Sequence, residues 1–147
     1  MLPSVSSFAI RAADTRDAEA LAPLLDQLGY PAEVEDIRER LAAHNGDSQV
    51  LVAAGEGGLS GFVAVAIARD FIVGTRGIIL GLVVADGSRG RGIGAELLAA
   101  AEKWAFERGA AVVGVRSNVI RERAHRFYLR NGYRRVKSQH IFEKRQP

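Results

Sequence analysis

No cysteine occurs in this chain, so disulfides, thiolate metal sites and a cysteine nucleophile are excluded in one step. Nothing in the composition points to an oxidising compartment. Long apolar runs are also missing. No stretch approaches the roughly 20 residues of a membrane span, and Met1–Ile10 carries no basic segment leading into an apolar one. The expectation is a cytoplasmic protein with no membrane partner. Low-complexity tracts are absent too, and 48% of the 147 residues are hydrophobic, which predicts a single globular domain, residues 1–147, with a sizeable core.

Acidic residues are scarce at one end only. Residues 116–147 hold 10 Lys+Arg against 2 Asp+Glu, a net +8, whereas residues 1–115 hold 10 against 15, a net −5. Clustered arginine is the electrostatic footprint of phosphate binding. The aromatics that would stack on bases are not interleaved with it, so no nucleic-acid partner is expected. A phosphate-bearing cofactor and a solvated basic helix face remain as explanations.

What the chain does hold is a glycine-rich turn between an apolar strand, Ile78–Ala85, and a helix. Gly90, Gly92 and Gly94 alternate there with Arg89, Arg91 and Ile93. Residues without a Cβ let the backbone turn sharply and let a ligand come close, and the helix that follows offers unpaired N–H donors and the positive end of its dipole. Arg89 and Arg91 supply countercharge. The stretch reads as an anion cradle, although an ordinary strand-to-helix turn has the same composition. It is not a Walker loop, because Gly-Lys-Ser/Thr is absent. Nor is it the dinucleotide fingerprint, whose third glycine falls one residue later.

Around this stretch, Phe8–Arg11 alternates like a strand, and Asp14 or Thr15 can cap a helix over Ala18–Leu28 that Gly29-Tyr30-Pro31 ends. Glu33–Ala43 makes a second helix. Gln49–Ala54 and Gly61–Arg69 read as strands of a hairpin turning at Gly55–Gly58, and Asp70–Gly77 as the tip before the central strand. Beyond the loop, Gly94, Leu97, Leu98, Ala101, Trp104 and Ala105 share a helical face, with Trp104 read as core. Gly109 ends that helix and Ala110–Val115 is a short apolar strand, giving a βαβ unit with parallel strands. A last helix over Arg121–Arg130 closes at Asn131-Gly132, and two strands, Tyr133–Val136 and Gln139–Glu143, are expected after it.

Arg89-x-x-Gly92-x-Gly94 resembles the acyl-CoA pyrophosphate loop of the GNAT superfamily of N-acetyltransferases. Ala124-x-x-Phe127-Tyr128-x-x-x-Gly132-Tyr133 resembles the same family's second cofactor segment. Two motifs in order and on the right elements make a specific likeness that covers nearly the whole chain. It implies an α/β (α+β) fold, with a mixed central sheet of about six to seven strands flanked by four helices. Ser117, Asn118, Arg121 and the residues Ser138, Phe142 and Lys144 look like the subgroup that acetylates small-molecule amines, including aminoglycoside- and aminoalkylphosphonate-modifying enzymes.

The resemblance implies a site residue by residue. Leu82, Val83 and Val84 would hydrogen-bond the pantetheine arm like an added strand, and a backbone N–H there would polarise the thioester carbonyl. Arg89, Gly90, Arg91, Gly92, Ile93, Gly94 and Ala95 would hold the pyrophosphate, and Asn118 and Arg121 would complete the cofactor contacts. Arg121 departs from the family, many members of which have asparagine there. The strands ending at Val84 and Val115 would have to splay to admit the acyl chain, and Gly114 permits it. Tyr128 would be the general acid for the CoA thiolate. Periodicity alone places Tyr128 with Ala124 and Phe127 on one helix face, where it reads as core.

The base is a gap. Leu80 and Gly81 stand where relatives place a strand glutamate. Asp70, Asp86, Glu33, Glu35 and Asp36 are left as indirect candidates, and His125 reads as packing or capping more readily than as a catalyst. No metal is expected. Acidic helices (Asp26, Glu33, Glu35, Asp36, Glu39) would suit a cationic amine, whereas Arg69, Arg76 or Arg116 would suit a carboxylate or phosphonate. The expected partners are acetyl-CoA and a small-molecule amine, with homodimerisation left open. The alternatives are a protein or peptide N-acetyltransferase and a catalytically silent acyl-CoA sensor.

Overall fold

The computed structural model describes residues 8–43, 45–116 and 122–147. They fall into two compact units, Met1–Val115 and Arg116–Pro147. Ser117, Asn118 and Arg121 of the expected site lie outside the described residues.

The first unit is built on a five-stranded sheet in the order β1 (Phe8–Ala12), β2 (Ser48–Gly55), β3 (Gly58–Asp70), β4 (Gly74–Val84), β5 (Val113–Val115). The first four strands form an antiparallel meander, and β5 lies parallel to β4, as the βαβ reading requires. Three helices serve this sheet: α1 (Ala18–Leu28), α2 (Val34–Ala42) and α3 (Ile93–Glu107).

Capping explains where α1 begins. The Asp14 side chain accepts from the Arg16 N–H at 2.9 Å, and Asp17 Oδ2 accepts from the Asp14 N–H at 2.9 Å, which closes a capping box around a 3-10 turn at Thr15–Asp17. Arg11 of β1 grips buried Asp17 with two hydrogen bonds of 2.8 Å and so ties strand to helix. Gly29 ends α1 at φ +100°, a conformation that glycine reaches without strain.

The two sheet faces carry separate cores. Leu21 and Leu24 of α1 and Ile37 of α2 pack with Val52, Phe62 and Val83 on one face. On the other, α3 lies against β3 and β4 and buries Leu97, Leu98, Ala101, Trp104 and Ala105. Burial of each large side chain contributes about 1.5–3 kcal/mol. Gly77 brings α3 close: a Cβ there would stand 2.8 Å from Ala105 Cβ. Trp104 is core as expected, with the Arg108 guanidinium 4.3 Å above its ring.

Two expectations are corrected. Asp70–Gly77 is not a loop. The β3–β4 hairpin closes in three residues, Phe71–Val73, because Asp70 Oδ1 accepts from the Ile72 N–H at 2.6 Å and Gly74 turns at φ +88°. And the sheet has five strands among the described residues, not six or seven. In the second unit, α4 (Glu122–Arg130) is followed by Tyr133–Val136 and Gln139–Glu143 with no strand. Alternation alone does not make a strand: a ladder partner is needed, and Val136, Ile141 and Phe142 stand exposed. The Asn131-Gly132 cap is present, with Gly132 at φ +89° and the Tyr133 N–H donating to Tyr128 O at 3.0 Å.

Candidate active site

Strand β4 is the spine of the site, and one extra residue shapes it. Ala64 of β3 pairs with Gly81, but the next residue, Val65, pairs with Ile79, so Leu80 is bulged out of the ladder. On its other edge β4 pairs with β5 only at Gly77, Ile78 and Ile79, opposite Val113, Gly114 and Val115. Beyond Ile79, among the described residues, that edge of β4 has no strand beside it. This edge runs from the bulge past Leu82, Val83 and Val84. Val83 buries its side chain beneath α1 and α2, and the Val84 carbonyl accepts from Gln27 Nε2 at 2.7 Å, which anchors the strand end to α1.

The same edge leads directly into the glycine loop. A 3-10 turn, Asp86–Ser88, follows β4, and then Gly90 and Gly92 adopt φ +85° and +76°. Gly92 caps α3, whose first internal bond runs from the Glu96 N–H to Gly92 O at 3.1 Å. Ile93, Gly94 and Ala95 thus belong to the first helical turn, and their N–H groups have no acceptor within the helix. This is an anion-binding geometry. Arg89 is held by Asp86 at 3.2 Å through exposed side chains, a weak pair that a phosphate can displace. Arg91 is exposed and lines a polar pocket of about 300 Å³ with Ser88, Glu56 and Ser60.

A second pocket of about 220 Å³ lies on the α1 side of the bulge, walled by Leu25, Leu28, Tyr30, Phe62, Ala64, Leu80 and Gly81. Its lining is almost wholly apolar. The sequence reading missed it, since Leu25 and Leu28 look like ordinary core positions and Tyr30 like a helix stop. The Tyr30 N–H donates to Leu25 O at 2.9 Å in the αL cap, which sets this side chain at the pocket mouth. Neither pocket is lined by Glu33, Glu35, Asp36, Asp70 or Asp86. Asp70 serves its turn, Asp86 pairs with Arg89, and Glu35 pairs with Arg38.

In the C-terminal unit Tyr128 is half-buried, edge-on to Phe127 (centroids 5.2 Å apart) and to Tyr133 (5.6 Å). His125 is half-buried on the same helix.

Comparison with known proteins decides among the chemistries this frame could support. Residues 15–133 match the model of the acetyltransferase (GNAT) family. The chain belongs to the GNAT acetyltransferases. This enzyme is therefore an acetyltransferase. It is 30% identical over 131 residues to an aminoglycoside N(6')-acetyltransferase type 1 of Stenotrophomonas maltophilia, covering 84% of each chain. A shorter match, 48% identical over 58 residues, links it to the aminoalkylphosphonate N-acetyltransferase of Salmonella typhimurium. It spans 40% of this chain and 38% of that protein. Among solved structures, the aminoglycoside N-acetyltransferase AAC(6')-Iy in complex with CoA superposes with a TM-score of 0.85 at 19% identity, over 99% of this chain and 100% of that one. That likeness shows the fold. In this acetyltransferase no described helix is long and apolar enough to cross a membrane.

Proposed function

We propose that the acetyltransferase moves the acetyl group of acetyl-CoA directly onto a primary amine of a small molecule, with residues 1–147 acting as one functional domain. The observation that carries this reading is the edge of β4 beyond the Leu80 bulge, which no described strand covers and which runs from the apolar pocket to the α3 N-terminus. An extended arm can add to that edge as a strand would, through the backbone of Leu82 and the Val84 N–H, which face away from β3 because the Ala85 N–H bonds Ser60 O, while the N–H groups of Ile93, Gly94 and Ala95 take the pyrophosphate. The family match supports the single domain, since it runs through the junction of the two units. The names of the relatives support an amine on a small molecule.

In the proposed reaction the amine nitrogen attacks the thioester carbonyl, an N–C bond forms and the C–S bond breaks. A backbone N–H of β4 stabilises the oxyanion, and Tyr128 gives its proton to the departing thiolate. The motif match supports the role of Tyr128. Water at the pocket mouth takes the ammonium proton, because no carboxylate lines the apolar pocket. Asn118 and Arg121 are proposed as further cofactor contacts. A cytoplasmic location and a homodimer complete the proposal. The three exposed apolar residues Phe71, Ile72 and Val73 at one hairpin tip favour association, which sedimentation velocity tests.

The deciding experiment follows free CoA thiol released from acetyl-CoA with a panel of primary amines, beside a CoA thermal-shift titration. The cysteine-free chain adds no thiol background. Turnover with a small amine is expected. Stabilisation by CoA without turnover would point to a sensor or a protein acceptor, and no stabilisation would overturn the reading of the glycine loop.

A further inference from the structure

Of the three arginines that could set the charge of the acceptor, the structure separates one. Arg69 is paired with Asp47 at 3.0 Å at the surface, and Arg116 stands exposed in the C-terminal unit. Arg76 is half-buried, and among the described residues no carboxylate lies within ion-pair reach of it. Its place follows from strand parity. Gly77 faces α3, so Arg76 and Ile78 face the opposite side. The register carries that side along β3 through Ala68, Ala66 and Ala64 to Gly81, whose missing Cβ would meet Leu28 of α1 at 3.1 Å. Arg76 and the apolar pocket therefore share one face of the sheet.

The floor between them is nearly flat. Ala66, Ala68 and Ile78 are only half-buried, and the neighbouring position on β5 is Gly114. The Arg76 side chain lies over that glycine: a Cβ there would be 3.0 Å from Nη2 and 3.9 Å from Cζ. This brings the guanidinium back toward the bulge. Gly114 is level with Ile78 and Ala66, two residues from Gly81, so the charge sits about 7 Å along the sheet and one strand, about 5 Å, across from the Gly81 backbone. A guanidinium is a rigid fork of donors matched to a carboxylate or phosphonate, and a half-buried one without a partner is an unfilled half of such a pair.

Building on the small-molecule reading above, we propose that the acceptor is an amine that also bears an acidic group, and that Arg76 binds that group across the alanine floor while the amine lies at the bulge. The distance leaves room for a spacer of roughly two carbons once a charge-assisted hydrogen bond of about 2.8 Å is allowed. Short aminoalkylphosphonates and ω-amino acids have this shape. Polycationic amines oppose the charge of Arg76.

The test compares acetylation of 2-aminoethylphosphonate, ethanolamine and kanamycin by the wild type, Arg76→Ala and Arg76→Lys. In parallel, calorimetry follows 2-aminoethylphosphonate binding to the CoA-loaded proteins. The wild type should favour the phosphonate over ethanolamine in kcat/KM at least tenfold. That ratio should fall about 30-fold or more in Arg76→Ala, through KM, and recover in part in Arg76→Lys, which keeps the charge but loses the fork. A ratio unchanged in Arg76→Ala, or kanamycin preferred by the wild type, would overturn the assignment. Turnover of no amine would remove the enzymatic reading but leave this one decidable. Calorimetric binding lost in Arg76→Ala, with CoA affinity intact, would sustain the acid site, and absence of binding by the wild type would end it.

Discussion

Gly61 lies so close beneath Val83 that a Cβ on it would stand 2.5 Å from the Val83 carbonyl oxygen and 3.1 Å from Leu97 Cδ1. One obstacle is backbone of the strand that bears the site, and the other is the helix behind it. Gly61→Ala should therefore lower stability by about 1–3 kcal/mol, read as a lower urea midpoint. Gly81→Ala meets only the flexible tip of Leu28 at 3.1 Å and should cost under about 1 kcal/mol. Equal losses would contradict the close approach at residue 61.

The glycine loop gives a prediction about affinity. Gly92 caps α3 at φ +76°, so Gly92→Ala should cost about 1–2 kcal/mol through backbone conformation alone. It should also weaken CoA binding about tenfold in a thermal-shift titration, because the helix N-terminal donors are re-aimed. Unchanged CoA affinity would separate the cap from the anion site.

Tyr128→Phe keeps the two edge-on ring contacts and removes only the hydroxyl. For a general acid, kcat should fall about 100-fold while CoA affinity stays within twofold. Parallel loss of both would reduce Tyr128 to packing.

Acid should loosen the first unit at one identifiable place. The Arg16 side chain, through its hydrogen bonds, holds the Asp14 carboxyl down at about 2, and the Arg11 fork lowers that of Asp17. Both folded values lie below the unfolded value of 3.8, so these groups contribute stability above about pH 4 and lose it as pH falls through the folded values. The melting temperature should hold between pH 5 and 7, in the region where carboxylates are ionised, and drop between about pH 4 and 2. Asp17→Asn should flatten part of that drop and cost about 1–3 kcal/mol at neutral pH, since it leaves the Arg11 fork half-filled.

The sequence announced the regular elements because each carries its own local signal: the Asp14 cap, the Gly29 stop, the Gly55–Gly58 turn, the apolar face of α3. It misread Gly74 and Gly77 as one loop. Gly74 does turn the chain, but Gly77 is a strand residue whose bareness serves Ala105 across the sheet, a contact that no local pattern encodes. The Leu80 bulge was equally hidden, since one extra residue in an apolar strand leaves the composition unchanged. Yet it reverses parity: Ile79 and Gly81 would share a face in a regular strand and here lie on opposite ones. The pocket and Arg76 depend on that reversal. The closing strands failed for the opposite reason, an alternating pattern with no ladder partner among the described residues.

A strand with one bare edge is a hazard as well as an opportunity. Unpaired N–H and C=O groups in a row are a template for any extended chain, a neighbouring molecule's included. Among the described residues β4 is such a template from Leu80 to Val84, interrupted where the Val84 carbonyl accepts from Gln27 Nε2. Whatever lies along it during turnover also shields it between turnovers, so donor concentration becomes a determinant of colloidal behaviour. Purification in the presence of CoA should then yield a less aggregated protein, and amide exchange along β4 should slow as the site fills.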